Sequence, residues 1–317
     1  MKMRKLLAVL MIAAIAVSLC ACGGGAKMTM GTGSATGTYY GFGGVLGQYI
    51  KNYADIEVTV VSTDGSKANI QGIDAGDYQL GTVQSDVMAY AWEGMRSFEG
   101  GKIDSFRVVA GLYAEAVQLV TMDENIKSVA DLKGKSVSIG APGSGVYFNA
   151  IDILGAYGLT EDDIKPTYQS FGDSADALKN GQIDAAFIVA GAPTTAVTDL
   201  ATTKDVNLVS LDAEHVAALL ASSPYYTECT IPAATYGLDA DVTTVGVGAV
   251  VLVRDDVSED AVYALCADIF DNAASLTDTH AKYGEVTLEY AASMTSVPYH
   301  AGAVKYFAEK GITVAGK

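Results

Sequence analysis

The chain has 317 residues, half of them hydrophobic, with 20 basic and 37 acidic side chains and a net charge of −17. Binding a polyphosphate backbone needs a clustered basic face, and so acidic a chain excludes nucleic acid as a partner. The length is ample for about two domains, each with its own core.

Lys2, Arg4 and Lys5 precede an apolar run from Leu6 to Leu19, too short to span a bilayer. The stretch "LCACGGGA" follows, with Leu19, Ala21 and Cys22 spaced as in a bacterial lipobox. By that resemblance residues 1–21 are a lipoprotein signal peptide, Cys22 carries the lipid, and 22–26 form an anchored Gly-rich tether. An ordinary signal peptide with incidental cysteines is the competing reading. Cleavage before Cys22 removes three positive charges, leaving 17 basic and 37 acidic residues, net −20. No later apolar run reaches the roughly 20 residues of a transmembrane helix. The sequence therefore predicts an extracytoplasmic protein, lipid-anchored to the cell membrane.

Strands and helices then alternate. "VTVVST" (58–63), "YQLGTV" (78–83), "RVVAGLY" (107–113), "SVSIGA" (136–141) and "DAAFIVA" (184–190) read as strands rich in branched residues. Residues 38–53 read as a helix, because Phe42, Val45, Leu46, Tyr49, Ile50 and Tyr53 recur at helical spacing. Such alternation predicts an α/β protein with parallel sheets covered by helices on both faces. The order is also repeated. "MTMGTGSATGTYY" and "SIGAPGSGVYF" each lead into a helix; each is followed by a strand, a Gly/Asp/Ser turn, a helix ending at Gly76 or Gly181, another strand and a polar turn. The echo predicts two lobes of like construction.

Helix N-termini expose unpaired N–H groups and partial positive charge, so each Gly/Ser loop suits an anion or a carbonyl. Neither loop is a nucleotide signature. There is no G-x-x-x-x-G-K-[ST], and Thr36 stands where G-x-G-x-x-G needs its last glycine. Ser144 in "PGSGV" is not in a G-x-S-x-G elbow, no histidine sits in a triad pattern, and Asp162 and Asp163 suit a turn or helix start. His215, His280 and His300 lack metal-ligand spacing with one another or with cysteine. No catalytic residue, metal or cofactor is expected. Cys266 lies on the stripe Val262, Leu265, Ile269, Phe270, Ala273 and reads as core; an exported protein leaves its pairing with Cys229 open. Two facing loops predict a clamp on one small molecule.

The chain resembles the TAXI family of substrate-binding receptors, which serve tripartite ATP-independent periplasmic (TRAP) transporters. The resemblance rests on "GTGSATGTYY" (31–40), "DGSKANI" (64–70), "QSD" (84–86), "DLKGKSVSIGAPGSGVYFNA" (131–150), "GQIDAAFIVAGAP" (181–193), "TIPAATY" (230–236) and "VPYHAGAVKYFAEKG" (297–311). It implies a two-lobed periplasmic-binding-protein (type II) fold with a ligand cleft between lobes. It also implies delivery of a small carboxylate or amino acid, such as glutamate or glutamine, to a sodium-driven TRAP membrane permease. Two positions depart from the family pattern: Gly41 stands where proline is usual, and Ala68, preceded by Lys67, where an acidic residue is common. An ABC-type binding lipoprotein and a small-molecule enzyme are the alternatives.

The expected ligand-binding residues are Ser34, Thr36 and Tyr39 from the first loop, Ser66 and Asn69 from the second, and Gln84 and Ser85 from the third. The other lobe offers Ser144 through its hydroxyl, Gly145 and Val146 through backbone N–H, then Gly191 and Tyr236. Lobe one is expected at 27–115 and 246–317, lobe two at 116–245, with the crossings near Tyr113–Val117 and Val242–Val245. The protein is expected to be a monomer.

Overall fold

The computed structural model describes residues 26–316; the expected signal peptide, Cys22 and most of the tether lie outside them. The first lobe opens with β1 (Lys27–Gly31), α1 (Thr38–Ala54), β2 (Glu57–Val61), α2 (Ser66–Ala75), β3 (Leu80–Gln84) and α3 (Ser85–Glu93). β1 lies between β2 and β3 and is parallel to both. α1 follows its apolar period: Phe42, Val45, Leu46 and Ile50 are buried, whereas Tyr53 at its far end is half exposed.

β4 (Phe106–Thr121) leaves this lobe and runs into the second. There β5 (Ser136–Ser138), α4 (Val146–Ala156), β6 (Lys165–Thr167), α5 (Phe171–Lys179), β7 (Ala185–Ala190) and α6 (Thr195–Ala201) repeat the pattern. β5 lies between β6 and β7, parallel to both, as β1 does between β2 and β3. The echoed helix ends are equivalent too. Gly76 and Gly181 take φ of +84° and +67°, left-handed values that favour glycine and close α2 and α5.

β8 (Asn207–Leu208), α7 (Ala213–Ser222) and β9 (Thr227–Ile231) complete the second lobe, and β10 (Val242–Arg254) returns to the first. The sheet runs β2-β1-β3-β10-β4-β7-β5-β6, with β8 on β4 and β9 on β10. It is therefore mixed and not purely parallel: β10 is antiparallel to β3, β4 and β9, and β4 is antiparallel to β7. One strand carries the chain out and the other brings it back, so the pair must run in opposite directions. Each changes partners along its length. β10 pairs with β9 over Val242–Gly246 and with β3 over Ala249–Val253, with register shifts against β4 between Gly248 and Val250 and between Val251 and Leu252.

Alternation along these strands divides the second lobe's core between two faces. Val117 and Leu119 of β4, with Phe187 and Val189 of β7, pack under α4; Ala116, Val120, Ala186 and Ile188 face α5 and α6. The chain ends on the first lobe, where α8 (Glu259–Asp271), α9 (Ala273–Leu276), α10 (Leu288–Ala291) and α11 (Ala301–Glu309) cover its core. Cys266 is part of that core, and among the described residues neither it nor Cys229 is in a disulfide. Among the described residues no helix is long and apolar enough to cross a membrane, and no cluster of side chains is arranged to hold a metal ion.

Candidate functional site

Helix starts from both lobes converge on one enclosed cleft. α1, α2, α3 and α4 begin after Gly37, Gly65, Gln84 and Gly145, and none of these residues gives a side-chain cap. Other helices are mixed: Asp212 caps α7, Ser258 caps α8, His300 caps α11 and Ser170, at the cavity, caps α5, whereas α6 and α9 also lack a side-chain cap. An N-cap side chain would occupy the N–H groups of the first turn. Without such caps the first turns keep N–H groups and partial positive charge at the space between the lobes, although Ala68 N of α2 donates to Gly143 O and Val87 N of α3 to Asp86 Oδ1.

That space is a cavity of about 50 Å³, lined by Ser34, Tyr39, Ser66 and Gln84 from one lobe and Ser144, Gly145 and Val146 from the other. Seven of the twelve expected residues thus meet there. The remaining five have other work. Thr36 lies outside the cavity, its Oγ1 3.1 Å from Ser34 Oγ. Asn69 is fully buried; its Nδ2 donates to Thr32 O and Thr82 O at 2.6 and 2.7 Å, and its Oδ1 accepts from Thr63 at 2.7 Å. It braces the loops and has no face toward the cleft. Ser85 Oγ accepts from Gly248 N at 2.9 Å, fastening β10 where it changes partners. Gly191 O accepts from Thr38 Oγ1 at 2.7 Å, and Tyr236 OH donates to Gln118 and accepts from Thr194 N inside the second lobe.

Among the residues in the cavity, Ser144 differs from expectation. Its hydroxyl donates to Ala141 O at 2.7 Å, so its proton shapes the turn and is unavailable to a ligand. Sequence reasoning missed Thr38, Asp64, Phe171 and, above all, Glu115, all of which line the cavity. A glutamate inside the apolar strand "YAEAVQLV" was the signal: a charged residue in a strand covered on both faces needs a reason to be there. Glu115 is 1% exposed and accepts a short hydrogen bond from Tyr39 OH. Burial pushes its carboxyl well above the usual range, and burial followed by the Glu115 charge does the same to the Tyr39 phenol. Among the described residues no Lys, Arg or His lines the cavity.

The lobes are closed on each other. Ala68 N donates to Gly143 O, and Ala196 N to Thr36 O, both at 3.1 Å. Beside the cavity runs a polar network. Gln84 Nε2 donates to Asn149 Oδ1 at 2.6 Å, and Asn149 Nδ2 donates to Asp86 Oδ2 and Tyr226 OH at 3.0 and 2.9 Å. Tyr226 OH donates to Asp152, whose other oxygen pairs with Arg96 at 2.7 Å. Gln84, Asp86 and Arg96 come from the first lobe, Asn149, Asp152 and Tyr226 from the second. Burial pushes the Asp86 carboxyl up to about 6.

Two parallel βαβ lobes, two strands crossing between them and a closed interlobe cleft define a two-lobed α/β fold with its candidate site between the lobes. The chain belongs to the NMT1-like family, whose sequence profile matches residues 30–311. A protein of Bordetella bronchiseptica RB50 is similar over 89% of this chain and 89% of its own, with 17% identity and a TM-score of 0.56. The alkanesulfonate-binding protein SsuA from Xanthomonas axonopodis pv. citri, bound to MOPS, is similar over 90% and 91%, with 17% identity and a TM-score of 0.49.

Proposed function

We propose that the protein is an extracytoplasmic solute receptor that binds a small carboxylate or amino acid and hands it to a sodium-driven TRAP permease. The observation carrying this reading is the cleft itself: four helix starts without side-chain caps, drawn from two lobes, face one closed cavity. A carboxylate is the natural occupant for such a concentration of N–H groups. Lobe one is assigned to 27–115 and 246–317 and lobe two to 116–245, a division supported by the change of partners along β4 and β10. Lobes joined by two strands open and close as hinged bodies. The protein acts as a monomer and catalyses no reaction, and the resemblance to TAXI receptors supports glutamate, glutamine or a related carboxylate as cargo.

A ligand at a hundredfold excess over Kd stabilises the folded protein by about 2.7 kcal/mol, or roughly 5 °C in Tm for a chain of this size. A thermal-shift screen of glutamate, glutamine, 2-oxoglutarate, C4-dicarboxylates and the common amino acids is expected to give at least one saturable rise. A flat response to all of them would defeat the receptor reading.

The lipid anchor on Cys22 keeps the receptor beside its permease. Cys22→Ser is expected to move the protein from the membrane fraction to the soluble one; retention in the membrane fraction would rule out the lipobox assignment.

A further inference from the structure

We infer that Glu115 selects solutes bearing a protonated amine, so that the cleft takes an amino acid in preference to the dicarboxylate of the same skeleton. The inference rests on reading the cleft as the solute site. Glu115 lines the cavity at 1% exposure, and its only described hydrogen bond is the one that Oε2 accepts from Tyr39. Oε1 accepts no hydrogen bond among the described residues, and it is not among the fully enclosed atoms without a partner, which there are Tyr113 Oη and Asp268 Oδ2. An unpartnered carboxyl oxygen turned toward a cavity is a place for a donor carried in by the ligand.

The neighbours exclude the other obvious partner, a lysine of the chain. Lys282, in the turn 281–285, is buried close by, but its Nζ pairs with Glu285 Oε1 at 2.5 Å and makes no ion pair with Glu115 among the described residues. The remaining groups around Glu115 are Tyr39 from α1, Asp86 from α3, Tyr290 from α10 and Tyr113 on its own strand. Tyr113 OH is itself buried without a partner among the described residues. Every one of these is neutral or acidic. A second carboxylate at this end of the cleft would meet acids and phenols, and the nearby cation, Lys282, is already paired with Glu285. An ammonium would meet a carboxylate, with the N–H groups of the helix starts left for its own carboxylate. The cavity is therefore polarised for a zwitterion.

Burial favours the protonated form of the Glu115 carboxyl, against the hydrogen bond from Tyr39 and the charge of Lys282, which favour the ionised one. An entering ammonium reverses that preference, so Glu115 gives its proton to solvent and takes the ligand as counter-ion. Below the carboxyl's own pKa, affinity for the amine then rises tenfold per pH unit. Asp86 works the other way, because closure buries it, but it does so equally for every ligand. The measured quantity is thus the ratio of affinities between an amino acid and its des-amino partner.

The test is calorimetric titration of the wild-type protein and Glu115→Gln with matched pairs: glutamate against glutarate, aspartate against succinate, and each common amino acid against its 2-oxo analogue. The expected result is binding by an amine-bearing member at least tenfold tighter than its partner, a ratio that grows with pH, and loss of that preference in Glu115→Gln. Titrations in buffers of different ionisation enthalpy should show a proton released by the wild type. A des-amino carboxylate that binds as tightly as its amine partner, or that takes up a proton, would overturn the assignment of Glu115 while leaving the receptor reading intact. Failure of every compound would remove both. The pH-dependent ratio in the wild type decides the matter even if Glu115→Gln does not fold.

Discussion

Gly145→Ala is expected to lower solute affinity about a hundredfold or more while both lobes remain folded. A Cβ built on Gly145 would run into Gln84 Oε1, and it would stand 2.5 Å from Gln84 Cδ and 2.8 Å from Val87 Cγ2. Gln84 and Val87 belong to the first lobe, Gly145 to the second. The collision therefore exists only when the lobes are closed. Within its own lobe the position accepts alanine, since its φ of −79° is ordinary for any L-residue. Overpacking of this kind costs roughly 1–3 kcal/mol. Displacing Gln84 also breaks its bond to Asn149, worth roughly another 1 kcal/mol. Together these amount to about 3 kcal/mol against the closed state, or roughly a hundredfold in Kd. Calorimetric titration with the solute found in the thermal screen measures the loss, and small-angle scattering should show a more open molecule. Partial recovery in Gly145→Ala with Gln84→Ser would locate the clash at that contact. Wild-type affinity in Gly145→Ala would mean that the cleft does not close on its ligand along this seam. Ser144→Ala is the contrasting case. Its hydroxyl is spent on Ala141 O, so its effect on affinity should be small beside that of Gly145→Ala.

How far the sequence could be read follows from where each signal is local. The period of α1 decides its buried face without reference to the rest of the chain, and Phe42, Leu46 and Ile50 are all fully buried. The doubled Gly/Ser loops likewise announce helix starts with few side chains in the way. β4 is different. Its apolar run reads as 107–113, yet it continues to Thr121 through Glu115, which lines the cavity between the lobes, and Gln118, which bonds Thr194 and Tyr236 within the second lobe. Periodicity also carries no information on direction, so the antiparallel run of β10 against β3 and β4 was not legible. The site divides in the same way. Loop composition points to the cleft, but which polar side chains look into it depends on neighbours far along the chain. Asn69 is claimed by Thr32 and Thr82, and Tyr236 by Gln118 and Thr194. Glu115 enters the cavity because two lobes fold around it.

Asn149→Leu is expected to weaken solute binding by roughly ten- to hundredfold, because Asn149 of the second lobe ties two buried groups of the first, Gln84 and Asp86. Its amide serves Gln84 Nε2, Asp86 Oδ2 and Tyr226 OH, and it is fully buried. Leucine fills a similar volume but offers no hydrogen bond, so closure would strand Gln84 and Asp86 away from water. Each stranded group costs about 1–3 kcal/mol, and in the open form both can be hydrated. The penalty therefore falls on closure and not on the fold of either lobe. Asp86 adds a dependence on pH. Its carboxyl, near the usual value when hydrated, rises to about 6 once buried, with the Asp152 charge adding to the effect of burial. The closed form thus holds this proton more tightly than the open one. On this group's account closure is favoured below about pH 4 and loses that advantage as pH rises through 6. Asn149→Asp places a third carboxyl beside Asp86 and Asp152 and should steepen the same trend, binding poorly at pH 7.5 and recovering toward pH 5. Titrations of both variants at the two pH values check the argument. If Asn149→Leu binds within threefold of the wild type, the network only fills space between the lobes, and closure is held by the backbone contacts at Gly143 and Thr36.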